Sequence, residues 1–363
     1  MSTFVEILQK KRADLEKKEE SDPSDANSAS SSDAEDTDKE LELSKVQGGY
    51  YLASEGEKIS NRYVIFNKIG RGHFSNVWKV KETKSDNLFA MKIQKSAKSY
   101  RIAAQEEILI HELIKNQGSN PHLQELRYHN SFKSANGKHF YMIYDLMDED
   151  LVHFAKRFQD EKISLDVTSK VAYHTLSGIA FLHACGFLHS DIKPDNILVK
   201  STSNDYTFKI ADLGTACAIG DTSNDYLQTS TYRAPEIILG YSAFNEKIDI
   251  WSLAITYFEC ISGDVLFYGE NENDLIKLFV ETLGIPPRDF LKTCKGYRNH
   301  FDRNGFIING FDLRPLPLNR RLVEEFEIST ENADAMCKLL LPMLEWHPDK
   351  RWSAKDLLSL YPN

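Results

Sequence analysis

The sequence predicts an α+β, bilobal fold, with a small β-rich N-lobe over about residues 62–147 and a larger α-helical C-lobe over about 148–361. Three observations carry this. From about Arg62 the chain runs through strand-like segments, YVIFNKI, NVWKV and LFAMKI, then a helix-like stretch from Tyr100 to Lys115, then strand candidates ending at YMIYDL. After Asp150 the apolar spacing is helical almost throughout. With 363 residues, 41% of them hydrophobic, the chain can bury one large core or two lobes around a cleft.

Ahead of these lobes the first 20 residues allow a short amphipathic helix with Phe4, Ile7, Leu8 and Leu15 on one side. Its Lys10, Lys11, Arg12, Lys17 and Lys18 read as a solvated helix face, with a nuclear-import patch as the alternative. From Ser21 to Ser44 eight acids stand against Lys39, a net charge of −7 out of −10 for the chain. Such a segment buries too little apolar surface to order itself, so residues 1–44 are read as an acidic, Ser-rich disordered tail and 45–61 as a flank. Ser30, Ser32 and Thr37 each have an acid three residues on, which suits acid-directed modification. In the C-lobe, SLDVTSKVAYHTLSGIAFLHACG has Ser164 as its cap and Gly186 as its stop. KIDIWSLAITYFECISG is apolar all round, the mark of a helix buried in the centre of a domain. No internal repeats are visible.

Charge and cysteine usage exclude several classes. A net charge of −10 argues against a nucleic-acid binder, which needs a basic face. Cys185, Cys217, Cys260, Cys294 and Cys337 are scattered without metal-ligand spacing, as reduced thiols of the cytosol or nucleus are. The start lacks an apolar stretch long enough for a signal peptide, and the apolar run Ile248 to Ile261 is interrupted by Asp249. No membrane partner is expected.

The chemistry lies in a series of motifs. Gly70-Arg71-Gly72-His73-Phe74-Ser75-Asn76-Val77 joins two strands, and its glycines let the backbone approach phosphates and point N–H groups at them. By itself it reads equally as a plain hairpin. Phe89-Ala90-Met91-Lys92 follows on the third strand, with Glu107 fifteen residues later to fix the lysine as a point charge. Glu106 is adjacent and competes for that role; the family resemblance set out below implies Glu107. Then come His189-Ser190-Asp191-Ile192-Lys193-Pro194-Asp195-Asn196 and Asp212-Leu213-Gly214. Phosphoryl transfer is mainly positioning and charge neutralisation. Asp191 suits the acceptor of the hydroxyl proton and Lys193 the neutralising charge, while Asn196 and Asp212 offer oxygens for magnesium. Ala234-Pro235-Glu236, Asp249 and Arg351 complete the order.

These motifs resemble those of the eukaryotic protein kinase family over essentially all of Arg62 to Tyr361. Closer features are similar to the SR-protein kinases: GGYY before the domain, GRGHFSNVW, MKIQKSAKSY, HSDIKPDNIL, ADLGTAC, LQTSTYRAPE and LLPMLEWHPDKR. The long spacer of that family is missing, since only Ser201 to Thr207 separates NILVK from FKIADLG. The resemblance implies the kinase fold, ATP and Mg2+ as cofactors, and Arg-Ser-rich splicing-factor proteins as substrates. It also implies an ATP site lined by Ile69, Val77, Ala90, Asp145, Leu146 and Leu198 besides the loop and Lys92. A monomer in cytoplasm and nucleus, acting in mRNA splicing regulation without direct nucleic-acid contact, is the corresponding expectation. The alternatives are another kinase of the same broad group, of Cdc2-like or dual-specificity Tyr-regulated type, and a pseudokinase scaffold, which the full catalytic set disfavours.

Two features bear on regulation and substrate choice. Ser190 stands where many kinases place an arginine to grip an activation-segment phosphate, which serine cannot do. Activity without that phosphate is therefore expected, unless another basic residue does the gripping. Asp264, Asp274 and Glu281 match where SR-protein kinases carry substrate-docking acids. Seven residues separate the last two, so a helix puts both on one outer face opposite Leu275, Leu278, Phe279 and Leu283, with Lys277 between them as a competitor. A solvated face is the plainer reading. Asp148, Glu149 and Asp150 form a second acidic cluster.

Overall fold

The computed structural model describes residues 4–20, 46–222, 227–308, 310 and 313–361. The chain divides into two units, Met1–Ser119 with Gln124–Met147, and Asn120–Leu123 with Asp148–Asn363.

The first unit is a six-stranded antiparallel sheet of β1 (Lys58–Ile59), β2 (Tyr63–Arg71), β3 (Ser75–Glu82), β4 (Leu88–Gln94), β5 (Leu126–Ser134) and β6 (Gly137–Asp145), in the order β1-β2-β3-β4-β6-β5. Alternation puts Trp78 and Val80 of β3 inward, where they join Ile59, Tyr63, Ile65, Met91, Ile93, Tyr141 and Ile143 in one core. Register shifts between Ile65 and Asn67 and between Lys68 and Gly70 bend β2 as it enters the glycine loop. Two helices belong to this unit, α1 (Phe4–Glu20) and α2 (Lys98–Lys115). On α2 the buried residues Ala104, Glu107, Ile108, His111 and Ile114 recur three and four apart, so Glu107 lies on the inward face.

α1 corrects the expectation of a disordered tail over all of 1–44. It packs on α2, burying Leu15 and pairing Arg12 with Glu106 at 3.4 Å, while Lys10 and Lys11 stay exposed. An amphipathic stripe orders only when a partner face exists, and periodicity alone does not say whether one does. The Ser-rich stretch, with Ser30, Ser32 and Thr37, lies outside the described residues.

The second unit contains β7 (Glu149–Asp150), α3 (Leu151–Ala155), α4 (Leu165–Ala184), β8 (Phe187–Leu188), β9 (Ile197–Ser201), β10 (Tyr206–Ile210), β11 (Cys217–Ala218), α5 (Pro235–Ile238), α6 (Lys247–Ser262), α7 (Glu272–Leu283), α8 (Arg288–Thr293), α9 (Leu318–Glu324), α10 (Thr330–Met343) and α11 (Ala354–Leu358). Ser164 caps α4 by accepting from the Val167 N–H. As its apolar composition dictates, α6 is buried on nearly every side. It ends at Gly263, whose φ of 74° and closeness to the Asp160 carbonyl (2.2 Å from an added Cβ) leave no room for a side chain. Arg351 stacks on Trp251 and forms a buried bidentate pair with Glu236 at 2.6 and 2.8 Å. Its remaining N–H groups reach the Lys247 and Glu345 carbonyls, so both charges are satisfied.

Asn120–Leu123, which lies between the two stretches of the first unit, belongs to the helical unit. Ile210 N–H donates to the His122 carbonyl, and Gly178 of α4 lets that carbonyl approach to 2.5 Å of where a Cβ would stand.

Candidate active site

Each unit carries its own set of the candidate site residues. In the first, the hairpin between β2 and β3 leaves Ile69 and Arg71 to Phe74 exposed, while Ser75 and Asn76 are buried in the sheet. The Gly72 N–H donates to the Ser75 carbonyl at 2.8 Å and closes the turn. On β4, Lys92 Nζ meets both carboxylate oxygens of Glu107 at 2.8 and 2.9 Å. Glu107 also accepts from Tyr144 Oη at 3.1 Å and Gln94 Nε2 at 3.4 Å. Glu106, the competing candidate, is turned to Arg12 instead. Ala90 and Leu146 are half-buried, and Asp145 spends its carboxylate on Arg127 at 2.6 and 2.9 Å.

In the second unit Asp249 organises the loop of residues 189–196 from inside α6. Its carboxylate accepts the backbone N–H groups of His189 and Ser190 at 2.8 and 2.9 Å and meets His183 Nε2 at 2.8 Å. Complete burial works to raise the Asp249 carboxyl, but His183, His189 and the backbone donors outweigh it and hold it below its usual range. The loop crosses Ser190 at φ 64°, a left-handed conformation that persists because both neighbouring N–H groups are held by one buried carboxylate.

Asp191 is gripped on both oxygens. Oδ1 accepts from Thr229 Oγ1 at 2.7 Å and from the Thr229 N–H at 3.2 Å, while Oδ2 faces Lys193 Nζ and Asn196 Nδ2, each at 3.2 Å. Lys193 Nζ in turn donates to Thr229 Oγ1 at 3.0 Å. Asn196 donates again to the Asp191 carbonyl at 2.8 Å, which leaves its amide oxygen as the donor atom for a cation. Asp212, exposed and also left-handed at φ 64°, accepts the Gly214 N–H at 3.1 Å. His189 Nε2 and the Ala211 carbonyl, 2.9 Å apart, tie the two loops together. Among the described residues no group of three or more His, Cys, Asp or Glu gathers for a metal. An amide and a carboxylate oxygen suit magnesium, which takes its remaining ligands from phosphates and water.

A family model described as the protein kinase domain matches residues 63–360. The chain belongs to the protein kinase family. It is 30% identical to the serine/threonine-protein kinase SRPK of Physarum polycephalum, over 86% of this chain and 88% of that one. It is 32% identical to the human dual specificity tyrosine-phosphorylation-regulated kinase 3 over 71% of this chain and 43% of the relative. With the serine/threonine-protein kinase prpf4B of Dictyostelium discoideum it shares 34% over 70% of this chain and 31% of the relative. It therefore spans less than half the length of the last two.

In this kinase the described parts of the activation segment are held mainly by uncharged hydrogen bonds, with Arg233 adding one ion pair. Cys217 and Ala218 of β11 pair with Leu188 and Phe187 of β8. Ser190 Oγ donates to the Thr215 carbonyl and Thr215 Oγ1 to the His189 carbonyl. Further along, Gln228 Nε2 reaches Tyr232 O, Ile248 O and Ser252 Oγ, and its Oε1 accepts the Ala234 N–H. Arg233 donates to the carbonyls of Leu227 and Gln228 and pairs with Glu272.

Sequence reasoning missed Tyr144, Thr229 and Gln228. Their signals were present, in YMIYDL and in LQTSTYRAPE, but nothing local distinguishes a threonine that holds Asp191 from a surface one.

The acids proposed for docking fare unequally. Asp264 is exposed and Asp274 half-buried, the latter accepting from Asn271 Nδ2 at 2.8 Å. Glu281 departs from the outer-face expectation: it accepts the Arg314 N–H at 2.8 Å and lies 3.9 Å from Arg321, with its side chain 16% exposed. The inward face of α7 is Leu275, Ile276, Phe279 and Val280, with Leu278 and Leu283 only half-buried. That face packs through Phe279 on Trp251, Phe267 and Trp346, whereas Glu281, on the other side, is covered by the chain that returns at residues 313–322. The second acidic cluster is used locally, Asp148 by Lys200 and the Ser201 N–H, Glu149 by Arg157, and Asp150 as the N-cap of α3. Leu198, on β9, is half-buried.

Proposed function

We propose that this kinase transfers the γ-phosphate of ATP, with magnesium, to serines of Arg-Ser-rich proteins, without needing an activation-segment phosphate, in the regulation of mRNA splicing. The observation that carries the catalytic part is Asp191 held between Thr229 and Lys193. In the transfer the serine oxygen bonds to the γ-phosphorus and the bond to the β–γ bridging oxygen breaks, releasing ADP. Asp191 takes the hydroxyl proton, and Lys193, fixed by the same threonine, offsets charge on the phosphoryl oxygens. Asn196 and Asp212 would hold magnesium, which supplies charge neutralisation on the phosphates when bound. Lys92, with Glu107, serves the α- and β-phosphates.

Substrate class and serine/threonine specificity rest on the likeness to the Physarum SRPK, which extends over most of both chains. A second reading, a kinase of dual-specificity or prpf4B type, draws on the matches to those relatives, which are as close in identity but shorter in coverage. The deciding experiment offers the full-length chain radiolabelled ATP with an Arg-Ser repeat, a Pro-directed peptide and a tyrosine peptide. Preferred labelling of serine in the Arg-Ser repeat supports the proposal. Preference for either of the others overturns the substrate assignment, and no transfer to any substrate overturns the catalytic one.

A further inference from the structure

Residues 46–50 precede the stretch matched by the family model, yet they are knitted into the first unit. Gly48 N–H donates to Asn136 O and its carbonyl accepts the Ala97 N–H, each at 3.0 Å; Gly49 O accepts the Ser96 N–H at 3.1 Å, and Tyr50 O accepts from Asn136 Nδ2 at 2.7 Å. Gly48 has φ 89° and would place a Cβ 3.0 Å from that of Ala97, so this close approach needs glycine.

The arrangement delivers the Tyr50 ring, 3% exposed, against the glycine loop. Its single phenolic proton is shared between the carbonyls of Gly72 at 2.9 Å and His73 at 3.1 Å. The next carbonyl, of Phe74, accepts the Lys95 N–H at 2.9 Å. Lys95, itself 4% exposed, sets its ammonium 4.3 Å from the centre of the Tyr50 ring and 5.1 Å from that of Tyr100. Among the described residues no carboxylate pairs with it and Arg71 repels it, so the two aromatic faces are its attractive partners.

Peptide planarity turns these contacts into a statement about the other side of the loop. In a trans peptide the carbonyl of one residue and the N–H of the next point in opposite directions. With the carbonyls of Gly72 and His73 drawn to Tyr50, the N–H groups of His73 and Phe74 are aimed away from it, on the loop's far side.

We propose that Tyr50 is a positioning residue for the nucleotide, which sets the peptide planes of the glycine loop so that its N–H groups face the phosphates. Tyr50 does not touch the nucleotide, and Lys95 and Tyr100 hold its ring in place. This rests on the ATP-dependent reading above and extends the nucleotide site to Tyr50, ahead of the stretch matched by the family model.

The test uses Tyr50→Phe in the full chain, which keeps the ring and removes only the hydroxyl. Tyr51→Phe is the control, since the neighbouring hydroxyl donates to Glu57 instead. Calorimetry with a magnesium-bound, non-hydrolysable ATP analogue should show about fivefold weaker binding for Y50F, the loss expected for one shared hydrogen bond. KM for ATP should rise in parallel while KM for the protein substrate and the nucleotide-free melting temperature stay near wild type. Y51F should bind the analogue like wild type. Unchanged analogue affinity in Y50F overturns the proposal. So does a fall in melting temperature accompanied by equal losses for both substrates, because that marks a merely structural tyrosine. The binding comparison judges the clamp, whereas phosphate transfer by the wild type judges the kinase reading, so the two fail separately.

Discussion

Ser190 donates its hydroxyl to the carbonyl of Thr215 at 2.6 Å, and so fastens the catalytic loop to the start of the activation segment with a neutral hydrogen bond. In kinases whose activation segment is phosphorylated, a charged arginine–phosphate contact does such fastening. Thr215 returns a bond to the His189 carbonyl, so the two strands of chain are crossed twice.

The first prediction follows from that latch. Protein treated with phosphatase should keep its transfer rate within about twofold of the untreated enzyme, and Ser190→Ala should lower kcat by about fivefold to tenfold, the worth of one buried hydrogen bond. Rates on one peptide before and after treatment provide the check. A large loss on dephosphorylation would show that a phosphate holds the segment after all.

Thr229 separates positioning from chemistry. Asp191→Ala and Asp212→Asn should each cut kcat by more than about a hundredfold with melting temperature unchanged, because proton acceptance and metal charge are removed outright. Thr229→Ala should cost about tenfold, and Thr229→Ser should recover most of it, since serine restores the hydroxyl between Asp191 and Lys193. A Thr229→Ser variant no better than Thr229→Ala would remove the hydroxyl from the account.

The docking acids should now divide. Replacing Asp264 and Asp274 together with alanine should raise KM for a long Arg-Ser substrate about threefold to tenfold at low salt, with little effect on a short peptide and a smaller effect at high salt. Glu281→Ala should instead lower the melting temperature and leave KM alone, because its carboxylate holds the Arg314 N–H and neighbours Arg321. Steady-state kinetics on both substrates, with a thermal melt of each variant, distinguishes the two roles.

Glu259 carries a pH signature. Burial, with Asp195, Asp264 and Glu161 nearby, pushes its carboxyl up to about 7 against the hydrogen bond from Tyr232 Oη at 2.7 Å. The folded chain therefore keeps a proton that an ordinary carboxyl of 4.5 releases. The contribution to stability is fully present below pH 4.5 and is lost as pH rises to about 7. Urea denaturation between about pH 5 and pH 8 should show wild type losing about 2–3 kcal/mol relative to Glu259→Gln. Parallel pH curves for the two proteins would remove Glu259 as the source.

The sequence by itself determined the order of the lobes, the buried character of α6 and the motifs Lys92, Asp191, Asn196 and Asp212, because each of these is written in spacing over a turn of helix, a strand or one loop. Tertiary structure decided what those residues touch. Thr229 reaches Asp191 across 38 residues and Tyr50 reaches Gly72 across 22, and both depend on how the chain turns back. The same holds where expectation failed. The periodicity of α7 placed Glu281 on the helix surface, but only the returning segment near Arg314 and Arg321 settled that this surface is covered. Likewise α1 was legible as an amphipathic stripe, and only the exposed flank of α2, with Glu106, gave it something to pack on. Periodicity reports which side of an element is apolar, whereas the identity of the partner comes from contacts between elements distant in the chain.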